Sequence, residues 1–185
     1  DHVPVTNYFS HSSQGSTHEN IQAMEYQEGS HTPYDSSWGA TVKNGRNDGS
    51  AHKLAVMDMI LDGDHDRHYG SMLGRNGKIV NIDNDDSLKY DGDTAVYPSH
   101  FEDFQNGLGQ VEEGMGGDLM HINAVQWLAQ LNSRDLIAQM NHAGVDKDKI
   151  KEALKRLKVI QSQVSGKSLS QLHDLIYPKR KVVAE

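Results

Sequence analysis

The run Asp62-Gly63-Asp64-His65-Asp66-Arg67-His68 gathers acids and histidines more densely than any other part of the chain. A further aspartate, Asp83, follows after a short apolar stretch. Carboxylates grouped in this way suit a hard divalent cation, which takes oxygen ligands. A carboxylate in the same site can also orient or deprotonate an attacking hydroxyl. Together these are the needs of phosphoryl transfer: a metal held against phosphate oxygens, and an acid group that aligns the nucleophile.

Such groups work only if the backbone delivers them to one place. Upstream, residues 51–61 read as a helix, with Leu54, Met57 and Leu61 at i, i+3 and i+7 and with Ala55, Met59 and Ile60 widening the apolar face. Ser50 is its expected N-cap and Gly63 its expected terminator. Downstream, residues 72–83 read as a hairpin: Met72-Leu73, the turn Gly74-Arg75-Asn76-Gly77, then Ile79-Val80-Asn81-Ile82. Asn76-Gly77 is a strong turn signal because both residues tolerate positive φ. Period-two alternation puts Asn81 and Asp83 on one face of the second strand. A hairpin of this kind carries Asp66 and Asp83 near its open end.

At these residues the chain resembles a known family. Asp66-Arg67-His68-Tyr69-Gly70-Ser71 is similar to the D-R-H-x-x-N catalytic loop of the phosphatidylinositol 3- and 4-kinase-like group, and to related loops in HipA-like atypical kinases. Ile82-Asp83 resembles the I-D that opens the metal-binding motif of that group, and the hairpin between the two motifs has a similar length. The resemblance implies Asp66 as catalytic base, His68 as a support for transition-state charge or loop shape, Ser71 and Asp83 as metal ligands, and Mg²⁺ and ATP as cofactors. It also implies that the later helices are the helical C-lobe of a kinase-like fold.

The sequence departs from the family pattern in three ways. Ser71 stands where the loop has its metal-ligating asparagine, and Asn81 and Asn84 are the nearest amides that would compensate. Asp83 is followed by Asn84-Asp85-Asp86, which either hold a second ion or repel one another. Residues 1–50 carry only Lys43 as a lysine and no glycine-rich strand-turn-strand, so the nucleotide-gripping N-lobe is expected from elsewhere in a larger protein or from another chain. A second functional reading therefore stands beside the first: a catalytically inactive, processed fragment that serves as a structural component of a larger complex, such as a viral particle or an effector complex. Two other chemistries compete for the acidic run. A calcium loop fails on spacing, because counting from Asp62 puts Arg67 and Leu73 where glycine and glutamate belong. A metal-dependent hydrolase built on His65 and His68 is the other alternative.

The remaining chain bounds these readings. At 185 residues it holds one domain, or one and a tail. A hydrophobic fraction of 36% and a mean hydropathy of -0.69 allow a modest core. A net charge of -8 argues against a nucleic-acid surface. No cysteine is present, which removes disulfides and thiolate metal sites. No apolar run is long enough to span a membrane, so a soluble protein is expected, cytoplasmic or part of a secreted or viral assembly.

Residues 1–50, rich in Ser, His, Gly and Asn, read as a polar extended arm, with His2, His11, His18, His31 and His52 as solvated filler. Residues 84–118 read as an irregular acidic loop in which Glu112 to Gly117 is a flexible break. From residue 119 four helices are expected. The first carries the stripe Ile122, Val125, Leu128 and Leu131. The second is capped by Ser133 and stops at Gly144, and the third is capped by Asp146 and has a lysine-rich outer face. The last spans about 168–176, with Leu169, Leu172, Leu175 and Ile176 inward. The expected fold class is α+β, mainly α: a kinase-like C-lobe at 51–178 with a small β-hairpin, preceded by the arm and followed by a basic tail at 179–185.

Overall fold

A computed structural model describes residues 6–13, 16–24, 30, 36–61, 72–81 and 115–177. The described chain is mainly helical, with six helices and two separate two-stranded antiparallel sheets. The first sheet pairs β1 (Thr6–Ser13) with β2 (Ser16–Met24), with an irregularity in register between Phe9 and His11.

The helical body begins with α1 (Trp38–Asp48). Here the structure departs from the expected arm, because Trp38, Thr41, Val42 and Gly45 form a buried stripe at i, i+3, i+4 and i+7. The gain from burying Trp38 and Val42 outweighs the weak helix propensity of Gly39, Asn44, Gly45 and Asn47. Gly45 permits close approach to the next helix, since a Cβ there would lie 3.3 Å from that of Ala51. Gly49, at φ 81°, ends α1 in the left-handed conformation that glycine favours.

The central element is α2 (Ser50–Leu61), which packs against α1, β4 and three later helices. Asp48, rather than Ser50, serves its N-terminus: the Asp48 carboxylate accepts from the Ser50 N–H at 2.8 Å. The expected Leu54–Met57–Leu61 stripe is only half-buried, whereas Ala51, Ala55, Val56, Met59 and Ile60 are fully buried. A helix covered on nearly all sides has no polar face from which its orientation can be read.

Strands β3 (Met72–Arg75) and β4 (Lys78–Asn81) form the expected hairpin, with Met72 paired to Asn81, Leu73 to Val80, Gly74 to Ile79 and Arg75 to Lys78. Asn76 and Gly77 both have positive φ, 52° and 71°, as the two-residue primed turn requires. The hairpin lies on α1 and α2 through β4, whose Ile79 is buried.

Residues 115–121 were expected to begin within a flexible break, but this stretch is fastened to the chain between the last two helices. Met120 N–H donates to Lys167 O, Leu169 N–H to Asp118 O and Ser170 N–H to Gly116 O, and Met115 is buried. The four helices that follow are α3 (Ile122–Gln130), α4 (Ser133–His142), α5 (Lys147–Gln163) and α6 (Leu169–Ile176).

Their caps are explicit. Asn132, one residue before the expected Ser133, accepts from Arg134 N–H. Asp146 accepts from Asp148 N–H as expected, and Ser168 forms a reciprocal capping box with Gln171. The α3 stripe is rotated relative to expectation: Ala124 and Leu128 are fully buried, while Ile122 is 60% exposed. On α5, Ile150, Ala153, Leu157 and Ile160 face the core and Lys147, Lys151, Lys155 and Lys158 face solvent. Complete burial of a side chain such as Leu157 is worth ~1.5–3 kcal/mol. On α6, Leu169, Leu172 and His173 are buried, while Leu175, expected inward, is 42% exposed.

Candidate functional site

The residues singled out by their chemistry, Asp66, His68, Ser71 and Asp83, lie outside the described residues, as do the competing ligand His65 and the amide of Asn84. What is described is the frame on either side of them. Helix α2 leads into the acidic run, and its C-terminal end is held by α5: Arg156 Nε donates to Ile60 O at 2.9 Å. A guanidinium at this point satisfies a carbonyl left over at the helix end and complements the negative end of the helix dipole. The hairpin forms the other boundary. Because Met72 pairs with Asn81, positions 71 and 82 are each one peptide bond from the same paired end. The turn at Asn76–Gly77 closes the opposite end, about 10 Å away by strand rise.

Helix α5 also holds α3. Gln161 Nε2 donates to Leu128 O at 2.9 Å and to Leu131 O at 3.1 Å, closing the C-terminal end of α3. Helix α5 therefore fastens the ends of two other helices through the side chains of Arg156 and Gln161. Helix α2, which leads into the acidic run, is thus held by a packed neighbour.

A second constellation stands entirely within the described residues, where the α1–α2 corner meets the start of α3. Arg46 donates from Nε and Nη2 to the two carboxylate oxygens of Asp118, both at 2.9 Å, in a fork-to-fork pair. Beside this pair His52 is buried, and neither ring nitrogen has a hydrogen-bond partner. Its ring centroid lies 6.2 Å from that of His121. His121 is the N-cap of α3: its Nδ1 accepts from the Asn123 N–H at 3.2 Å. Asn123 Nδ2 in turn donates to Asp48 O at 3.1 Å, so the start of α3 is bonded to the end of α1.

Burial pushes the His52 imidazole below its ordinary pKa range. The Asp118 carboxylate pulls the other way, while His121 and Arg46 add to the lowering. The neutral ring is thus the form the fold accommodates. The sequence reading missed this corner because His52 was grouped with the solvated histidines. The available signal was its position in the apolar run, one residue after Ala51 and i+3 and i+4 from Ala55 and Val56. Among the described residues no group of three His, Asp or Glu side chains is arranged to hold a metal ion.

Gly49 is the tightest point of this corner. Its φ of 81° is disfavoured for other residues, and a Cβ there would lie 2.6 Å from His121 Nδ1 and 3.0 Å from Cγ. Gly49→Ala is expected to destabilise the protein by ~1–3 kcal/mol, combining left-handed strain with displacement of the His121 cap. A urea titration should show a lower midpoint with an unchanged slope. An unchanged midpoint would mean that the corner does not have this close contact.

The chain has no significant match to any protein-family model, curated protein or solved structure. Among the described residues no helix is long and apolar enough to cross a membrane.

Proposed function

We propose that residues 51–90 form the metal-and-base half of an atypical, phosphatidylinositol 3-/4-kinase-like phosphoryl-transfer site, and that α3–α6 are the helical lobe supporting it. The observation that carries this reading is the hairpin register. With Met72 paired to Asn81, the segment bearing Asp66 and the segment bearing Asp83 join the same end of one hairpin. The D-R-H run before it and the I-D pair after it supply the chemical content.

In this reading Asp66 accepts the proton of the acceptor hydroxyl or orients it for attack. His68 supports the loop or the charge that develops on the transferring group. Asp83 and Ser71 would hold Mg²⁺; carboxylate and hydroxyl oxygens form a donor set that suits this hard cation. When bound, the ion neutralises charge on the phosphate oxygens of ATP. Arg156 and the packed α2 set the direction in which the chain enters the acidic run. The sheet that grips the nucleotide would come from another segment or chain.

Calorimetric titration of the full chain with ATP and Mg²⁺, repeated with Mn²⁺, tests the reading. Binding is expected in the native chain and should be lost in Asp83→Ala, with the helical circular-dichroism signal retained. A native chain that binds neither complex would remove the enzymatic reading and leave the assembly role.

A further inference from the structure

We propose that the corner joining α1 and α2 to the start of α3 is an acid-sensitive latch, closed when the buried His52 ring is neutral and loosened when it takes up a proton. Four side chains meet there. Arg46 comes from α1, His52 from α2, and Asp118 and His121 from the 115–121 segment. These are the charged and titratable groups that act on His52 among the described residues.

The geometry makes a proton unwelcome at the His52 ring. His52 is 3% exposed, and neither nitrogen has an acceptor to receive a new N–H. The one carboxylate acting on it, Asp118, already has both oxygens engaged by Arg46. A proton on His52 would put a second positive charge beside the permanent one of Arg46. The ring lies near the contact that holds the start of α3, where His121 caps the helix, Asn123 bridges to Asp48 and Gly49 rests against the His121 ring.

The direction follows from proton linkage. His52 is held below its usual range when folded and returns to about 6.5 when exposed. Its neutral-state contribution is complete above that pH and falls away as pH drops through 6.5 toward the folded value. In this window the equilibrium for opening the corner rises by up to about tenfold per pH unit for each proton taken up.

Hydrogen exchange of the full chain, corrected for intrinsic rates, reads this directly. Between pH 7.5 and 5.5 the amides of residues 41–53 and 123–125 should lose protection by up to about tenfold. Those of 153–160 in α5 should hold theirs. In His52→Leu the acid response of the corner should shrink by about tenfold. An equal acid response in native and variant chains would overturn the latch. So would greater protection in acid, the outcome if protonated His52 instead joined the Asp118 pair. A second measurement needs no variant: the His52 imidazole in the native chain, followed by NMR, should titrate below 6.5, and a midpoint at or above 6.5 would also overturn it.

Discussion

Asp66→Asn is expected to slow ATP turnover by ~10²–10⁴-fold while leaving metal-dependent nucleotide binding in place. The amide keeps the size and much of the hydrogen bonding of the carboxylate but cannot accept the proton of the attacking hydroxyl. Asp83→Ala should behave differently. Loss of a carboxylate ligand weakens the hold on the cation, and with it the hold on the nucleotide phosphates. Phosphate release to water measures turnover without knowledge of the natural acceptor, and calorimetry with the same samples measures binding. The two variants thus separate the base from the ligand. If both lost binding equally, the assignment of distinct roles to Asp66 and Asp83 would be wrong. If neither changed turnover, the acidic run would not be the reaction centre.

Trp38→Ala is expected to cost ~3–5 kcal/mol of folding stability. Trp38 is completely buried at the start of α1, and its removal leaves a cavity that the surrounding core side chains can only partly fill. That loss is a large share of a typical domain stability of ~5–15 kcal/mol. Lys43→Ala on the same helix, at an exposed position, should stay within ~0.5 kcal/mol. Urea denaturation of the pair distinguishes a helix built into the core from a polar arm lying outside it. A Trp38→Ala cost close to that of Lys43→Ala would return residues 36–48 to the arm.

The contrast between α1 and the hairpin shows which features the sequence makes legible. Asn76-Gly77 announces its turn because two adjacent residues that accept positive φ have few other uses between short apolar strands. Asp146 and Gly144 were readable for the same local reason: a cap and a left-handed terminator act through their own backbone. Helix α1 offers no comparable signal. Its buried stripe is Trp38, Thr41, Val42 and Gly45, and two of these four are not apolar by composition. Gly45 is inside because α2 comes close, a fact set by a partner rather than by the helix itself.

The same dependence on neighbours explains the misjudged faces of α2 and α3. Leu54 and Ile122 are larger and more apolar than Ala55 and Ala124, yet the alanines are fully buried. Where helices pack closely, small side chains occupy the contact and larger ones are left to its margins. His52 was obscured in another way. Its residue type predicts solvent, and only its place in the apolar run predicts burial. Of the candidate chemistry, the order of helix, acid run, hairpin and acid was legible from the sequence. The ring-to-ring approach of His52 and His121 was not, because it joins a residue of α2 to the N-cap of α3, far apart in the chain.

The proposed function needs Asp66 and Asp83 to serve one metal–nucleotide site at the open end of the hairpin. Paramagnetic broadening by Mn²⁺ in the presence of ATP tests it most directly, using amides whose positions are fixed. Met72 and Asn81 mark the open end, and Asn76 and Gly77 mark the turn at the other. Strong broadening is expected at Met72 and Asn81, weaker broadening at Asn76 and Gly77, and loss of the gradient in Asp83→Ala. Broadening that is absent, that is strongest at the turn, or that survives unchanged in Asp83→Ala would contradict it.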